Sequence, residues 1–148
     1  VINTHLDFSG VLDLSLDLNL LSKAESKKVL RDGTRAAAEV VQASIIENAP
    51  ERTGKLKKNV MVVTMPGRKN AISSGIHIRG INPDTGNSDN KMKAGNPKNA
   101  FYWRFVELGT SSAPPHPFVR PAFDASQDEA FRVAIEKMNA AIDEVLAR

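Results

Sequence analysis

Between Ser22 and Pro50 the sequence commits to one long helix, and the remaining elements have to be read around it. Ser22 and Glu25 form a capping-box pattern: the serine hydroxyl meets an orphan helix N–H, and the carboxylate reaches back toward the serine. Leu30, Ala37, Val41 and Ile45 recur on one helical face, with Gly33 between them as a mild defect or a close-packing point. Pro50 closes the helix, because the residue before a proline is pushed out of the helical region. The 148 residues have room for one core of the usual size, so a single domain over residues 1–148 is expected.

Before the helix, Leu6, Phe8, Val11, Leu12, Leu14, Leu16, Leu18 and Leu20 largely alternate with polar residues. This N-terminal segment, residues 1–20, reads as a short strand from His5 to Ser9, split at Gly10 from a second strand or a short helix over Val11 to Leu20. After the helix, Val60, Val62 and Thr64 alternate with Met61, Val63 and Met65, which predicts a strand over roughly Leu56 to Met65. Pro66-Gly67 makes the turn, and Ile72, Ser74, Ile76 and Ile78 line one face of a second strand, completing a hairpin. Residues 80–98, rich in Gly, Asn, Asp, Pro and Lys, have no periodicity and predict a long flexible loop.

Ala100 to Leu108 carries Phe101, Tyr102, Trp103 and Phe105, four of the chain's eight aromatics, and its composition predicts a central strand. Ala113-Pro114-Pro115-His116-Pro117 must be extended, since successive prolines fix φ and remove N–H donors. Phe131, Ala134, Ile135, Met138, Ile142 and Val145 then form the apolar stripe of a C-terminal helix that should cover one face of the sheet. The expected fold is α+β: an antiparallel sheet of three to five strands, with a long N-terminal helix and a C-terminal helix packed on it.

Charge is segregated along the chain. From Pro50 to Lys98 ten basic residues oppose three acidic ones, a local +7, whereas from Asp124 to Arg148 six acids oppose three bases, a local −3, within a total of +3. Such asymmetry can steer an anionic partner or pair one subunit's basic face with another's acidic helix. No apolar run approaches the ~20 residues of a membrane-spanning helix, and no secretory leader pattern opens the sequence. With no cysteine, there are no disulfides, thiolate nucleophiles or Cys-based zinc sites.

Enzyme chemistry finds no foothold. His5, His77 and His116 are scattered, and the chain has no HExxH, GxGxxG, Walker or GxSxG pattern. Glu107 beside Thr110 could be imagined as a base and a nucleophile, but reads better as an interface or capping carboxylate beside a turn hydroxyl. No catalysis, cofactor or metal is expected. The rival is nucleic-acid binding: Lys55, Lys57, Lys58, Arg68 and Lys69 flank the hairpin and are the candidate DNA-facing residues. Without an RRM, KH or zinc-finger signature, contact would run through phosphates without sequence preference. A small basic nucleic-acid-binding module is therefore the alternative function.

Two segments carry a resemblance. Ala49-Pro50-Glu51-Arg52-Thr53-Gly54-Lys55-Leu56, between a helix and a strand, resembles the AP-x-(R/K)-TG-x-L junction of the head-tail joining, tail-completion proteins of long-tailed bacteriophages. Tyr102-Trp103-Arg104-Phe105-Val106-Glu107-Leu108-Gly109-Thr110, followed by Pro117-Phe118-Val119-Arg120-Pro121-Ala122-Phe123, resembles the same family's E(F/L)GT and PF(L/V)RPA signature, in order and in spacing. The likeness runs from Leu20 to the C-terminus.

The resemblance implies a structural virion protein at the head-tail junction, assembled in the host cytoplasm. Its expected form is a homo-oligomeric ring, hexameric in expectation, through whose lumen non-specific genomic DNA passes. Its partners would be a head connector, adaptor or stopper protein on one side and a tail terminator or tail tube protein on the other, with no membrane. Terminators and stoppers share similar folds and remain alternatives within the same assembly. Arg52, Thr53, Gly54, Glu107, Gly109, Thr110, Phe118 and Arg120 become candidate subunit or ring-ring interface residues. Asn82, Asp84, Lys91 and Lys93 mark a candidate docking arm within the loop. The Arg120 guanidinium is placed for a bidentate bond to Glu107, within the chain or across a subunit boundary. Thr53-Gly54 also reads as a tight junction in which glycine permits positive φ, and Phe118 and Phe123 as packing anchors.

Overall fold

A computed structural model describes residues 9–67, 71–80 and 95–148, with side chains from residue 13 onward. Its elements, in chain order, are α1 (Ser9–Leu18), α2 (Lys23–Asn48), α3 (Lys55–Lys58), β1 (Val60–Pro66), β2 (Ile72–Ile78), α4 (Trp103–Leu108) and α5 (Val119–Leu146). The architecture is α+β, with one two-stranded sheet among the described residues. A connection this short requires β1 and β2 to run antiparallel, and the Gly67 N–H donates to the Ala71 carbonyl at 2.7 Å across it. Along β2 the covered residues are Ile72, Ser74, Ile76 and Ile78, the alternation expected of a half-buried strand.

The chain forms two compact units. The first comprises Val1–Val40, Val63–Gly75 and Ser126–Arg148. Its core is Leu14 of α1, Val29 of α2 and Ala134, Met138 and Ile142 of α5, with Leu18, Leu21, Leu30, Ala37, Ile135 and Ala141 packed around them. Fully burying a side chain such as Ile142 contributes roughly 1.5–3 kcal/mol. Gly33 is the close-packing point: a Cβ there would overlap the Met138 side chain. The helix accepts a residue that costs about 1 kcal/mol relative to alanine in exchange for that approach.

Polar contacts fix the register of the same unit. The capping box forms as read, with the Ser22 N–H donating to Glu25 Oε2 at 3.0 Å and the Glu25 N–H to Ser22 Oγ at 3.2 Å. The Ser26 hydroxyl donates to the Leu18 carbonyl at 2.8 Å and ties the start of α2 to the end of α1. Ser74 Oγ lies 3.0 Å from Thr34 Oγ1 and 2.9 Å from Thr64 Oγ1, a hydroxyl chain joining α2 to both strands.

The second unit comprises Val41–Val62 and Ile76–Ala125. Its buried apolar residues are Val41, Ile45, Ala49, Leu56, Val60, Ile78, Ala100, Phe118 and Ala122. Gln42 of α2 donates to the Val60 carbonyl at 2.8 Å, and the Ser44 hydroxyl to the Ala122 carbonyl at 3.2 Å, so α2 is pinned to β1 and to the first turn of α5. Asn59 organises the rest. Wholly buried, it donates its side-chain amide to the Lys55 carbonyl at 2.7 Å and the Pro97 carbonyl at 2.8 Å, while its backbone carbonyl accepts from the Arg79 N–H. Gly80 presses on the Ala100–Phe101 backbone, where a Cβ would lie 2.6 Å from the Phe101 nitrogen. Both ends of the 80–98 stretch are therefore anchored at one place.

Two sequence expectations change, and one left open is decided. The central strand expected over Ala100 to Leu108 is a turn followed by helix α4, with the N–H groups of Phe105 and Val106 both donating to the Tyr102 carbonyl. Strand preference of aromatic residues reflects packing on a sheet face, and Ala100 meets the Arg79 carbonyl by a single bond before the chain coils. The strand expected to begin at Leu56 begins at Val60, because Gly54, at φ 71°, turns residues 55–58 into a short helix first. Over Val11 to Leu20, of the two readings left open, the chain adopts the helix. The strand expected over His5 to Ser9 lies almost wholly outside the described residues.

Candidate subunit interface

Helix α5 begins without a capping side chain of its own, and its first turn is completed from elsewhere. Glu107, near the end of α4, directs its carboxylate at the start of α5. Its Oε2 accepts from the backbone N–H of Phe118 at 2.7 Å and of Val119 at 3.0 Å, and its Oε1 from that of Arg120 at 3.1 Å. The next residue, Pro121, has no N–H to satisfy. Every orphan donor of that helix start is thus accounted for, and the carboxylate also sits at the positive end of the helix dipole. Burial raises the pKa of Glu107, but the three N–H bonds, from Val119, Phe118 and Arg120, outweigh it and hold the carboxyl below the ordinary glutamate value.

The loop between the two helices is built to deliver that contact. Gly109 has φ 74°, and a Cβ on it would lie 2.7 Å from the Pro115 nitrogen. Its N–H donates to the Phe105 carbonyl at 2.9 Å, closing α4. Thr110 makes a turn, its Oγ1 accepting from the N–H of Ala113 at 3.1 Å and of Ser112 at 3.4 Å. The His116 N–H donates to the Val106 carbonyl at 2.8 Å and returns the chain alongside α4. Glu107, Gly109 and Thr110 are therefore one clasp.

Phe118, expected at an interface, is 1% exposed and belongs to the unit's core, whereas Phe123, five residues on and within α5, is 47% exposed. Arg120 meets Glu107 through its backbone N–H, not its guanidinium. The guanidinium is exposed and has no carboxylate partner among the described residues. On α4, Phe105 and Leu108 are 44% and 76% exposed, and Arg104 lies over the Trp103 ring at 5.5 Å. Exposed apolar side chains and exposed arginines thus stand on both helices that the clasp joins.

At the other motif, Thr53 Oγ1 accepts from the Lys55 N–H at 3.4 Å, and Gly54 caps α3 with its carbonyl on the Lys58 N–H at 3.2 Å. Arg52 and Lys58 are exposed, Lys55 is half-buried, and Lys57 pairs with Glu51 at 3.0 Å. Arg68 and Lys69, and the docking-arm residues Asn82, Asp84, Lys91 and Lys93, lie outside the described residues. Sequence reasoning passed over Asn59 and Asn99, both wholly buried, and the exposure of Leu108. The signal for Asn59 was slight, a polar residue at the foot of an apolar strand. Among the described residues no three His, Asp or Glu side chains gather as a metal site, and no helix is long and apolar enough to cross a membrane.

Residues 13–109 match the protein family described as "Bacteriophage HK97-gp10, putative tail-component", a span of 97 of the 148 residues. The match takes in both helix-to-strand and strand-to-α4 segments and stops at Gly109, so the helix start that Glu107 holds lies just beyond it. Neither the curated proteins nor the solved structures contain a match.

Proposed function

The chain belongs to the HK97-gp10-like family of bacteriophage tail components, a structural rather than enzymatic family, and on that premise we propose that it is a tail-completion, head-tail joining subunit. It assembles as a ring between the head connector and the tail, with the genome passing through the lumen. The observation that carries this reading is the clasp. Glu107 is fully engaged inside the chain, so the motif offers partners a preorganised surface of Phe105, Leu108, Phe123 and Arg120. Exposed apolar side chains on a rigid support, with arginine nearby, are the composition of interface centres.

In this assembly, head connector, adaptor or stopper proteins contact one side of the ring, and a tail terminator or tail tube protein the other. Lys55, Lys57 and Lys58, together with Arg68 and Lys69, supply the sequence-independent phosphate contacts of a DNA passage. Reversing the charge of Lys55, Lys57 and Lys58 together is expected to weaken DNA retention in particles; retention and assembly both unchanged would remove the lumen assignment.

Light scattering across a concentration series, with and without purified phage tails, tests the ring. A ring-sized species, free or with tails, is the expected result. A monomer that persists with tails and associates only with DNA, with a steep salt dependence, would replace this reading by a nucleic-acid-binding one.

A further inference from the structure

Helix α1 has two leucine faces. Leu14 is buried and Leu18 packs on the same core, yet Leu16 and Leu20 are 58% and 69% exposed. Residues 13, 16, 17 and 20 follow the i, i+3, i+4 spacing of one helical face. The chain continues past α1 in the same sense, with the Leu20 N–H donating to the Asp17 carbonyl at 3.0 Å. The exposed leucines are therefore flanked by Asp13 and Asp17, neither ion-paired among the described residues.

The clasp presents the complement. Phe105 and Leu108 are neighbours at i, i+3 on α4, with Arg104 at i, i+4 from Leu108. Arg120 and Phe123 are neighbours at i, i+3 on α5, and Glu107 ties that turn to α4. One surface has leucines with two carboxylates; the other has aromatic and leucine side chains with two guanidinium groups. Each is unsuited to its own copy, since acid would face acid or arginine face arginine.

We infer that the Leu16/Leu20 face of α1 in one copy docks on the Phe105/Leu108/Phe123 surface of a second copy, with Asp13 and Asp17 meeting Arg104 and Arg120. Such a contact joins two different patches, so it is head-to-tail, the kind that closes a ring when the rotation per subunit allows. The apolar centre supplies attraction and the charges fix orientation. This inference rests on the ring reading above and names the surfaces that make it.

The chain has no cysteine, so within it thiol cross-linking reports only introduced positions. Leu16→Cys and Leu108→Cys chains, prepared separately, mixed, assembled with tails and treated with a short bismaleimide, are expected to give a two-chain product. Neither variant alone should give it. Independently, the Asp13→Arg/Asp17→Arg chain and the Arg104→Asp/Arg120→Asp chain should each lose ring assembly at least tenfold, and combining all four changes in one chain should restore it. Both pairs are surface changes, and a circular dichroism melt separates lost assembly from lost fold.

A ring that forms normally from the charge-reversed chains, with no 16-to-108 product, overturns this interface and leaves the ring reading standing. Failure of the unaltered chain to form any ring with tails sinks both. A cross-link from position 16 solely to another virion protein assigns α1 to that partner and overturns the proposal.

Discussion

The two long helices start in opposite ways. Helix α2 is capped by residues of its own first turn, Ser22 and Glu25 exchanging bonds three positions apart. Helix α5 is capped by Glu107, eleven to thirteen positions back, across a loop whose shape must be right before the carboxylate can arrive. A local cap forms with its helix and stabilises little else. The remote cap couples helix start, loop and α4 into one object, so a change anywhere in the loop is felt at α5.

The strongest way to break this comparison is at Gly109. Gly109→Ala forces an L-residue to φ 74° against the Pro115 backbone. About 1–3 kcal/mol of backbone strain, at a φ and ψ that essentially only glycine adopts, and roughly 1–3 kcal/mol of overpacking should add to a loss of around 3 kcal/mol by urea denaturation. Glu107→Gln comes next. It keeps one carbonyl acceptor and loses the charge, with an expected loss of about 1–3 kcal/mol and a lower melting temperature, by roughly 2–4 °C per kcal/mol. If Gly109→Ala and Glu107→Gln act through one clasp, the double variant should lose clearly less than the sum of the two singles. Strict additivity would dissolve the clasp into independent contacts.

Smaller still is Ser22→Ala, expected to cost about 1 kcal/mol, as N-cap losses typically do. A loss equal to that of Glu107→Gln would erase the distinction between local and remote capping. The same distinction can be sharpened with pH. Because folding lowers the pKa of Glu107, its contribution is complete above the ordinary glutamate value and is lost as pH falls through the lowered one. In acid titrations of stability, the difference between unaltered chain and Glu107→Gln should therefore shrink as the carboxylate is protonated. A gap unchanged down to strongly acidic pH would contradict the assignment.

What could be read from the sequence divides along the same line. The capping box, the helix to Pro50, the alternation of β2 and the turn at Gly54 depend on neighbours in the chain, and residue type and spacing carry them. The clasp does not. Glu107 was readable as a capping or interface carboxylate, but its acceptors are backbone N–H groups that no side-chain pattern advertises, and so its pairing with the Arg120 guanidinium looked equally natural. Helix α4 was hidden by its own aromatics. Phe and Tyr favour strands only when a sheet face receives them, and here a single backbone bond from Ala100 to Arg79 is all that links the segment to the hairpin before it coils. Phe118 and Phe123 are indistinguishable in composition, yet the first is buried and the second exposed.

Asn59 and Gly80 give the chain a further property. By drawing Pro97 and Ala100 back to the foot of the hairpin, they fix both ends of the stretch between them, whatever that stretch contains. Once the ends are held, doubling the length of such a segment costs only about 0.6 kcal/mol of closure entropy. The hairpin foot is thus a splice point: exchanging the segment between Gly80 and Pro97 for a binding epitope of another length is expected to leave the fold on either side as it is.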